Sequence, residues 1–378
     1  MSAEFDDIRP YSDTEIRPVI KRLLKSKPLI SGLRKLILPN CPAPFESIFD
    51  YIIKAYFSAK SIPIRTVDQF QRKIIIDTMV EWVFNHTTKG FSISGLEYLE
   101  KDCAYIFITN HRDILIDTSM LNYALRKNGF RIAAVAFGDN LMINRLVSDL
   151  IRANKCFMVK RSLPFRKRVL AAQHLSRYIW FLQEQEESIW IAQGDGRAKD
   201  GDDRTNPSLI KMLYLSQRKS GLNLNEYINA AHIIPVAFSY EKDPCDLFKA
   251  KELLNDARYD DETKQQDDLT SMYRGISGDK GRMHIAFGKP LKGDYQNAQE
   301  VALAIDLRIH RLYKLWPTNY IAYDELQASN EYSTMYSTQE RNEVLARFKQ
   351  KKEDLRLKAL AMYAQPVINK RALNLQTI

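Results

Sequence analysis

Tyr105-Ile106-Phe107-Ile108-Thr109-Asn110-His111-Arg112-Asp113-Ile114-Leu115-Ile116-Asp117 is a run of aromatic and β-branched residues that breaks off into polar ones. Tyr105–Thr109 has the composition of a buried strand. The polar residues after it fall at a strand's carboxyl end, where open α/β sheets carry their reactive loops. Short strands of the same kind recur on both sides: Phe91–Ile93, Ala133–Phe137, Cys156–Val159, Ser188–Ala192, Ile233–Phe238, and Met283–Phe287 ahead of Gly288-Lys289-Pro290. Helical patterns lie between them, notably Pro164–Glu187. Strands alternating with helices predict an α/β fold, a mostly parallel sheet flanked by helices, with helical N- and C-terminal extensions.

Beyond that alternating stretch the texture is helical. Val19, Ile20, Leu23 and Leu24 recur at helical spacing with Lys21, Arg22 and Lys25 between them, until Pro28 interrupts. Leu29, Ile30, Leu33, Leu36 and Ile37 repeat the pattern. A basic amphipathic helix of this kind can lie in a membrane interface or pack on the protein's own body. A longer helical pattern runs from Val67 to Phe84, Glu252–Asp268 reads as a surface excursion or helical insertion, and Ser337–Ala364 reads as one long mixed-charge helix. The expected organisation is a helical region with a basic amphipathic segment over 1–88, an α/β domain over 89–293 with an acidic insertion at about 246–278, and a helical region over 294–378.

The 378 residues can bury a substantial core. The apolar stretches are too short to span a bilayer, and the acidic start, Ser2 to Asp7, does not resemble a secretory leader. A cytoplasmic protein is expected. Cys41, Cys103, Cys156 and Cys245 are dispersed, without the spacing of a disulfide framework or a zinc site. The net charge of +10 is unevenly placed: Arg17–Lys35 and Arg152–Arg168 each hold seven basic residues and no acidic one. Such runs attract phosphates on lipid, nucleic acid or a soluble cofactor. They lack the interleaved aromatics of single-strand binders, and no helix-turn-helix or RNA-recognition signature accompanies them, so no nucleic-acid partner is expected.

A histidine in a strand-end loop, with a carboxylate close by, suits a general base whose tautomer the carboxylate fixes. His111-Arg112-Asp113 also matches the protein-kinase catalytic loop, but Thr118 stands where that loop needs Asn, and no Gly-rich loop or Asp-Phe-Gly is present. Nor is there the Gly-x-Ser-x-Gly elbow of a serine hydrolase.

Four blocks in order carry a specific resemblance. They are Asn110-His111…Asp117, Phe157-Met158-Val159-Lys160-Arg161-Ser162, Ile189-Trp190-Ile191-Ala192-Gln193-Gly194-Asp195-Gly196-Arg197, and Ile233-Ile234-Pro235-Val236. Together they resemble the glycerolipid acyltransferase superfamily of glycerol-3-phosphate and 1-acylglycerol-3-phosphate acyltransferases, in a divergent bacterial-type branch with a His-Arg-Asp block. Phe287-Gly288-Lys289-Pro290 is similar to that family's closing strand. Two departures stand out. Five residues separate His111 from Asp117 where the family has four, and Asp195-Gly196-Arg197 brings its Arg one position early. The alternative register at Gln193-Gly194 loses the acid and brings Arg late.

The resemblance implies an O-acyltransferase with His111 as base and Asp117 orienting it, Asp113 being the competing carboxylate. It implies that Arg161 and Arg197 hold the acceptor's phosphate with help from Lys160, that Asp195 accepts a hydrogen bond from the acceptor or from Arg197, and that Gly196 belongs to the same phosphate-binding set. No metal and no cofactor are implied, acyl-CoA or acyl carrier protein being a co-substrate. The implied acceptor is glycerol 3-phosphate or a lysophospholipid, lysophosphatidate foremost, in phospholipid biosynthesis at the cytoplasmic face of an anionic membrane. Two other classes fit the same residues: a non-catalytic basic module binding membranes or nucleic acid, and a thioesterase or lipid hydrolase with water as acceptor.

Overall fold

The computed structural model describes residues 3–161, 163–255 and 261–375. Ser162 of the second block and residues 256–260 of the acidic segment lie outside the described residues. Among the described residues there are seven strands: β1 Gly90–Ser94, β2 Ile106–Thr109, β3 Ala134–Gly138, β4 Cys156–Val159, β5 Ile189–Ala192, β6 Ile233–Tyr240 and β7 Arg282–Phe287. Each coincides with a strand singled out above. The chain divides into two compact units, one of Met1–Trp82 with Ile132–Ala171, the other of Val83–Arg131 with Ala172–Ile378.

In the second unit the strands lie in the order β1-β7-β6-β2-β5. All neighbours are parallel except β6 and β7. Every residue of β2 and β6 is buried, as parallel strands covered on both faces require, and this is why they read as uninterrupted apolar runs. Thr109 lies opposite Ala192 of β5 and Val236 of β6. The chain therefore turns out of the sheet at Asn110-His111 with strands on both sides. The helix Ala298–Leu312 packs on β6, and Ile116–Lys127 packs against β7. The fold is α/β with a mostly parallel sheet and flanking helices, as the alternation implies.

The first unit pairs β3 with β4 in parallel and carries helices α1 Asp13–Lys25, α2 Lys27–Ile37 and α3 Glu46–Ser61. Pro28 falls in the first turn of α2, where its missing N–H has no helical partner to lose. The apolar stripe of α1 is core: Ile16, Val19, Ile20 and Leu23 cluster with Ile30, Ile53, Phe57 and Ile64. Its cation Arg22 grips buried Asp149 with two hydrogen bonds of 2.9 Å. Of the two roles open to this segment, the structure shows packing on its own body.

Two helices differ in detail from the sequence reading. Within the pattern from Val67 to Phe84, residues Gln71–Val80 are π-helical, and the Thr78 hydroxyl bonds back five residues to the Lys73 carbonyl at 2.6 Å. Ser337–Ala364 is two helices, Thr338–Phe348 and Glu353–Leu375. The first ends where Phe348, 1% exposed, drops into a cluster with Leu360 and Tyr363 of the second, which requires the chain to fold back. The acidic segment holds helices Asp246–Asn255 and Asp261–Ser277, a helical insertion. Among the described residues no helix is long and apolar enough to cross a membrane.

Candidate active site

The site begins with an amide clamp. The Asn110 side chain accepts from the Phe238 N–H at 2.7 Å and donates to the Phe238 carbonyl at 2.9 Å. It thus occupies the hydrogen-bonding groups of β6 that a further residue of β2 would otherwise pair. This ends the strand and fixes the exit direction of His111. Asn110 also donates to Asp203 at 3.1 Å and is fully buried, so its polar atoms are satisfied inside the core, as burial demands.

His111 Nδ1 lies 2.8 Å from Asp117 Oδ2. Asp117 is the first-turn acid of the helix Ile116–Lys127 and is completely buried. Its Oδ2 also accepts the N–H groups of Arg112 at 2.6 Å and Asp113 at 3.0 Å, and its Oδ1 accepts the Tyr240 hydroxyl at 2.5 Å. Four donors on one carboxylate leave it no freedom to turn. Burial, followed by the charge of Asp117, raises the Tyr240 pKa well above 10, so the phenol stays protonated and donates throughout the neutral range. The His111 ring stands edge-on to Trp190 with centroids 5.5 Å apart, and the Trp190 indole N–H is fixed on the Thr109 hydroxyl at 2.9 Å. With Nδ1–H turned to Asp117, Nε2 is the basic nitrogen, on a side chain that is 14% exposed. The arrangement can take a proton from an alcohol and stabilise the resulting imidazolium.

Asp113 has another task. Its Oδ1 accepts the N–H groups of Leu115 and Ile116, both at 2.9 Å, satisfying donors at the start of the helix. Burial, then the neighbouring charge of Asp117, raises its pKa. Of the two carboxylates the sequence offers, Asp117 is the one on the imidazole.

Behind the loop lies a buried ionic frame. Arg112 Nη2 binds Asp203 at 2.5 Å and the Gly201 carbonyl at 3.2 Å, with its guanidinium 5.3 Å from the Tyr313 ring centroid. Lys249, with no exposed surface, donates to the Arg112 carbonyl at 2.5 Å and pairs with Asp243. Such pairs are costly to break, because removing one partner strands the other's charge in the interior.

The third block follows β5. The Ala198 N–H donates to the His111 carbonyl at 2.8 Å, so the Asp195-Gly196-Arg197 turn is tied to the histidine loop. Gly196 adopts φ +83°, a left-handed conformation that favours glycine. Asp195 is exposed at the tip. Arg197 is 6% exposed and lies 3.4 Å from both Glu252 and Asp268 of the insertion. Lys160 and Arg161 belong to the other unit. There Lys160 pairs with Asp7 at 2.5 Å, and the Arg161 N–H is held by Asp139 at 3.0 Å while its side chain is exposed.

Sequence reasoning missed Tyr240, Asn110's clamp and the partners of Arg197. Tyr240 lies two residues beyond the apolar run that marked β6, on the same strand face as Phe238. That parity, with a hydroxyl on a buried ring, is the one signal that could have found it. Among the described residues no group of three His, Cys, Asp or Glu side chains is placed to hold a metal.

Residues 90–239 match a family model described as Acyltransferase. Over 227 residues the chain is 21% identical to the glycerol-3-phosphate acyltransferase of Pseudomonas fluorescens (strain SBW25), covering 57% of this chain and 25% of that protein. The corresponding protein of Pseudomonas syringae pv. tomato (strain ATCC BAA-871 / DC3000) is 22% identical over the same length, with the same coverage. The chain thus spans a quarter of the length of these curated relatives. Among solved structures, the 1-acyl-sn-glycerophosphate (LPA) acyltransferase from Thermotoga maritima aligns with a TM-score of 0.41 at 14% identity, covering 76% of this chain and 95% of that one.

Proposed function

We propose, on the match of residues 90–239 to the Acyltransferase family model, that the chain is a glycerolipid acyltransferase that transfers a fatty acyl group from acyl-CoA or acyl carrier protein to a hydroxyl of a glycerol-phosphate acceptor. The observation that carries this reading is the imidazole held 2.8 Å from a four-donor carboxylate at the end of β2. His111 Nε2 takes the acceptor's hydroxyl proton as that oxygen attacks the thioester carbonyl carbon. The tetrahedral oxyanion collapses, the carbon–sulfur bond breaks, and the imidazolium returns the proton to the leaving thiolate. An ester and a thiol result. Because the thioester is already activated, holding the two reactants together supplies much of the acceleration.

Arg161 and Arg197, with Lys160, carry the phosphate of the acceptor in this reading, since guanidinium matches phosphate with two parallel donors. Arg197 then exchanges its long contacts with Glu252 and Asp268 for shorter ones to phosphate, and Asp195 accepts from the acceptor or from Arg197. The relatives are named for glycerol 3-phosphate, while the four sequence blocks are equally those of lysophosphatidate acylation. We favour lysophosphatidate, esterified at the cytoplasmic face of a membrane by a peripheral enzyme.

The test is acyl transfer from acyl-CoA and from acyl carrier protein to glycerol 3-phosphate and to lysophosphatidate, followed by thiol release and by ester formation. His111→Ala should lower turnover by about a hundredfold or more, the usual contribution of a general base, while the melting temperature stays near that of the parent. Thiol release without ester formation identifies a hydrolase instead. Binding to vesicles or nucleic acid without any turnover identifies a binding module.

A further inference from the structure

Phe45, Ile48, Tyr51, Ile52, Tyr56 and Ile62 are exposed by 51%, 55%, 74%, 51%, 50% and 64%. They are not scattered. Ile48, Tyr51, Ile52, Tyr56 and Ile62, with exposed Ala55 and Ala59 between them, follow the spacing of one face of α3 and its continuation. At 3.6 residues per turn they cover an arc of about 140°. The opposite face holds Ile53 and Phe57 in the core. A surface helix ordinarily has one apolar stripe and a polar outer face. This one is apolar on both, and a contiguous patch of that size marks a partner or a membrane.

The charges around the arc choose between them. The two acids of α3, Glu46 and Asp50, are drawn away by Arg34 of α2, which is 4% exposed and holds them at 2.9 and 2.8 Å. Lys54, Lys60 and Arg65 remain beside the apolar arc. Lys60 lies 3.1 Å from the Tyr56 hydroxyl, with its ammonium 5.3 Å from that ring's centroid. On α2, Lys27 and Lys35 are exposed as well. Apolar side chains, two tyrosines and a cationic flank are what a helix needs to lie in the headgroup region of an anionic bilayer. A second copy meeting this face would bring the same cations against one another.

We infer that α3, not the sequence-predicted amphipathic helix α1, is the membrane-docking face. Ile48, Tyr51, Ile52, Tyr56 and Ile62 enter the acyl boundary while Lys54, Lys60 and Arg65 meet the lipid phosphates. The inference extends the acyltransferase reading by giving an amphiphilic acceptor its surface, and it is measured without turnover.

The experiment is flotation of the full chain with vesicles of equal parts phosphatidylcholine and phosphatidylglycerol, and with phosphatidylcholine alone. The parent should float with the mixed vesicles. The double variant Ile48→Glu/Ile52→Glu touches no core residue and should melt like the parent, yet lose about tenfold or more of its partition coefficient. Lys54→Glu/Lys60→Glu should weaken binding to the mixed vesicles and leave phosphatidylcholine binding as it was. Acyl transfer to a soluble acceptor, glycerol 3-phosphate or a short-chain lysophosphatidate, should be unchanged in both. A parent that stays off the vesicles, or an Ile48/Ile52 variant that binds as well as the parent, overturns the inference. So does a parent dimer that the variant dissolves, for the face then joins two copies. Vesicle binding lost in the variant with no transfer to glycerol 3-phosphate or to lysophosphatidate in any protein sinks the acyltransferase reading and leaves the docking face standing.

Discussion

Replacing Tyr240 by Phe removes one oxygen and leaves the buried ring in place. The hydroxyl gives Asp117 a 2.5 Å hydrogen bond, and bonds to charged groups contribute about 1.5–3 kcal/mol. Asp117 keeps the N–H groups of Arg112 and Asp113 and the His111 Nδ1–H. The loss should therefore sit at the low end, about 1.5 kcal/mol of folding stability. The same loosening lets the carboxylate turn under the imidazole. If aiming the base depends on it, the corresponding loss in kcat is about tenfold. The assay is thiol release under saturating donor and acceptor, paired with urea unfolding of the same samples. A double-mutant cycle with Asp117→Asn separates the routes, since Tyr240→Phe should cost less than about threefold once its partner's charge is gone. Because the phenol's pKa is raised by burial and by Asp117's charge, the ratio of parent to variant should be flat across neutral pH. An unchanged kcat together with the full stability loss would refute the reasoning and leave Tyr240 as packing alone.

Arg161→Ala should raise the acceptor's KM by about tenfold, the scale of a charge-assisted bond, with the donor's KM unmoved; equal effects on both substrates would contradict its phosphate role. Arg197→Lys, which keeps the charge and loses the fork, should likewise raise the acceptor's KM, read in the same titration. Burial alone would raise the Glu15 pKa, but the Ser12 N–H and the Arg9 guanidinium outweigh it and bring it to about 2, from 4.5 in the unfolded chain. A depressed folded pKa contributes stability that is complete above 4.5 and lost as pH falls toward 2. Glu15→Gln should therefore lose about 1 kcal/mol of stability at neutral pH, counting the broken capping box. Acid unfolding curves of parent and variant should converge between those pH values, and a constant gap would contradict the linkage.

Strands such as β2 and β3 were legible because a strand covered on both faces is apolar nearly throughout, whereas β1 and β7 alternate, with Ser92 and Ser94 in one and Arg282 and His284 in the other. Register around the base was less legible. Two carboxylates, at 113 and 117, lie within six residues of His111. Which one reaches back depends on Asp113 being spent on the amides of Leu115 and Ile116, a matter of loop geometry. Tyr240 stayed hidden because β6 runs past its apolar stretch: β7 pairs antiparallel with it as far as Tyr240 opposite Met283, and nothing near residue 240 announces a partner some forty positions on. Arg197 could be assigned to a phosphate by resemblance, but its resting partners Glu252 and Asp268 come from an insertion distant in sequence. The break after Phe348 escaped because a mixed-charge helix looks alike whether it continues or folds back.

Asn110 on Phe238 and Tyr240 on Asp117 stake the histidine loop to two rungs of one strand, one side chain reaching out and the other reaching in. The imidazole cannot swing unless β6 itself gives way. In the proposed reaction, accommodation of a bulky acceptor would then fall to Arg197, whose two contacts to carboxylates are long, at 3.4 Å. The base is the anvil; the Arg197 side chain, on a turn that the Ala198 N–H ties to it, is the group left with long contacts to exchange.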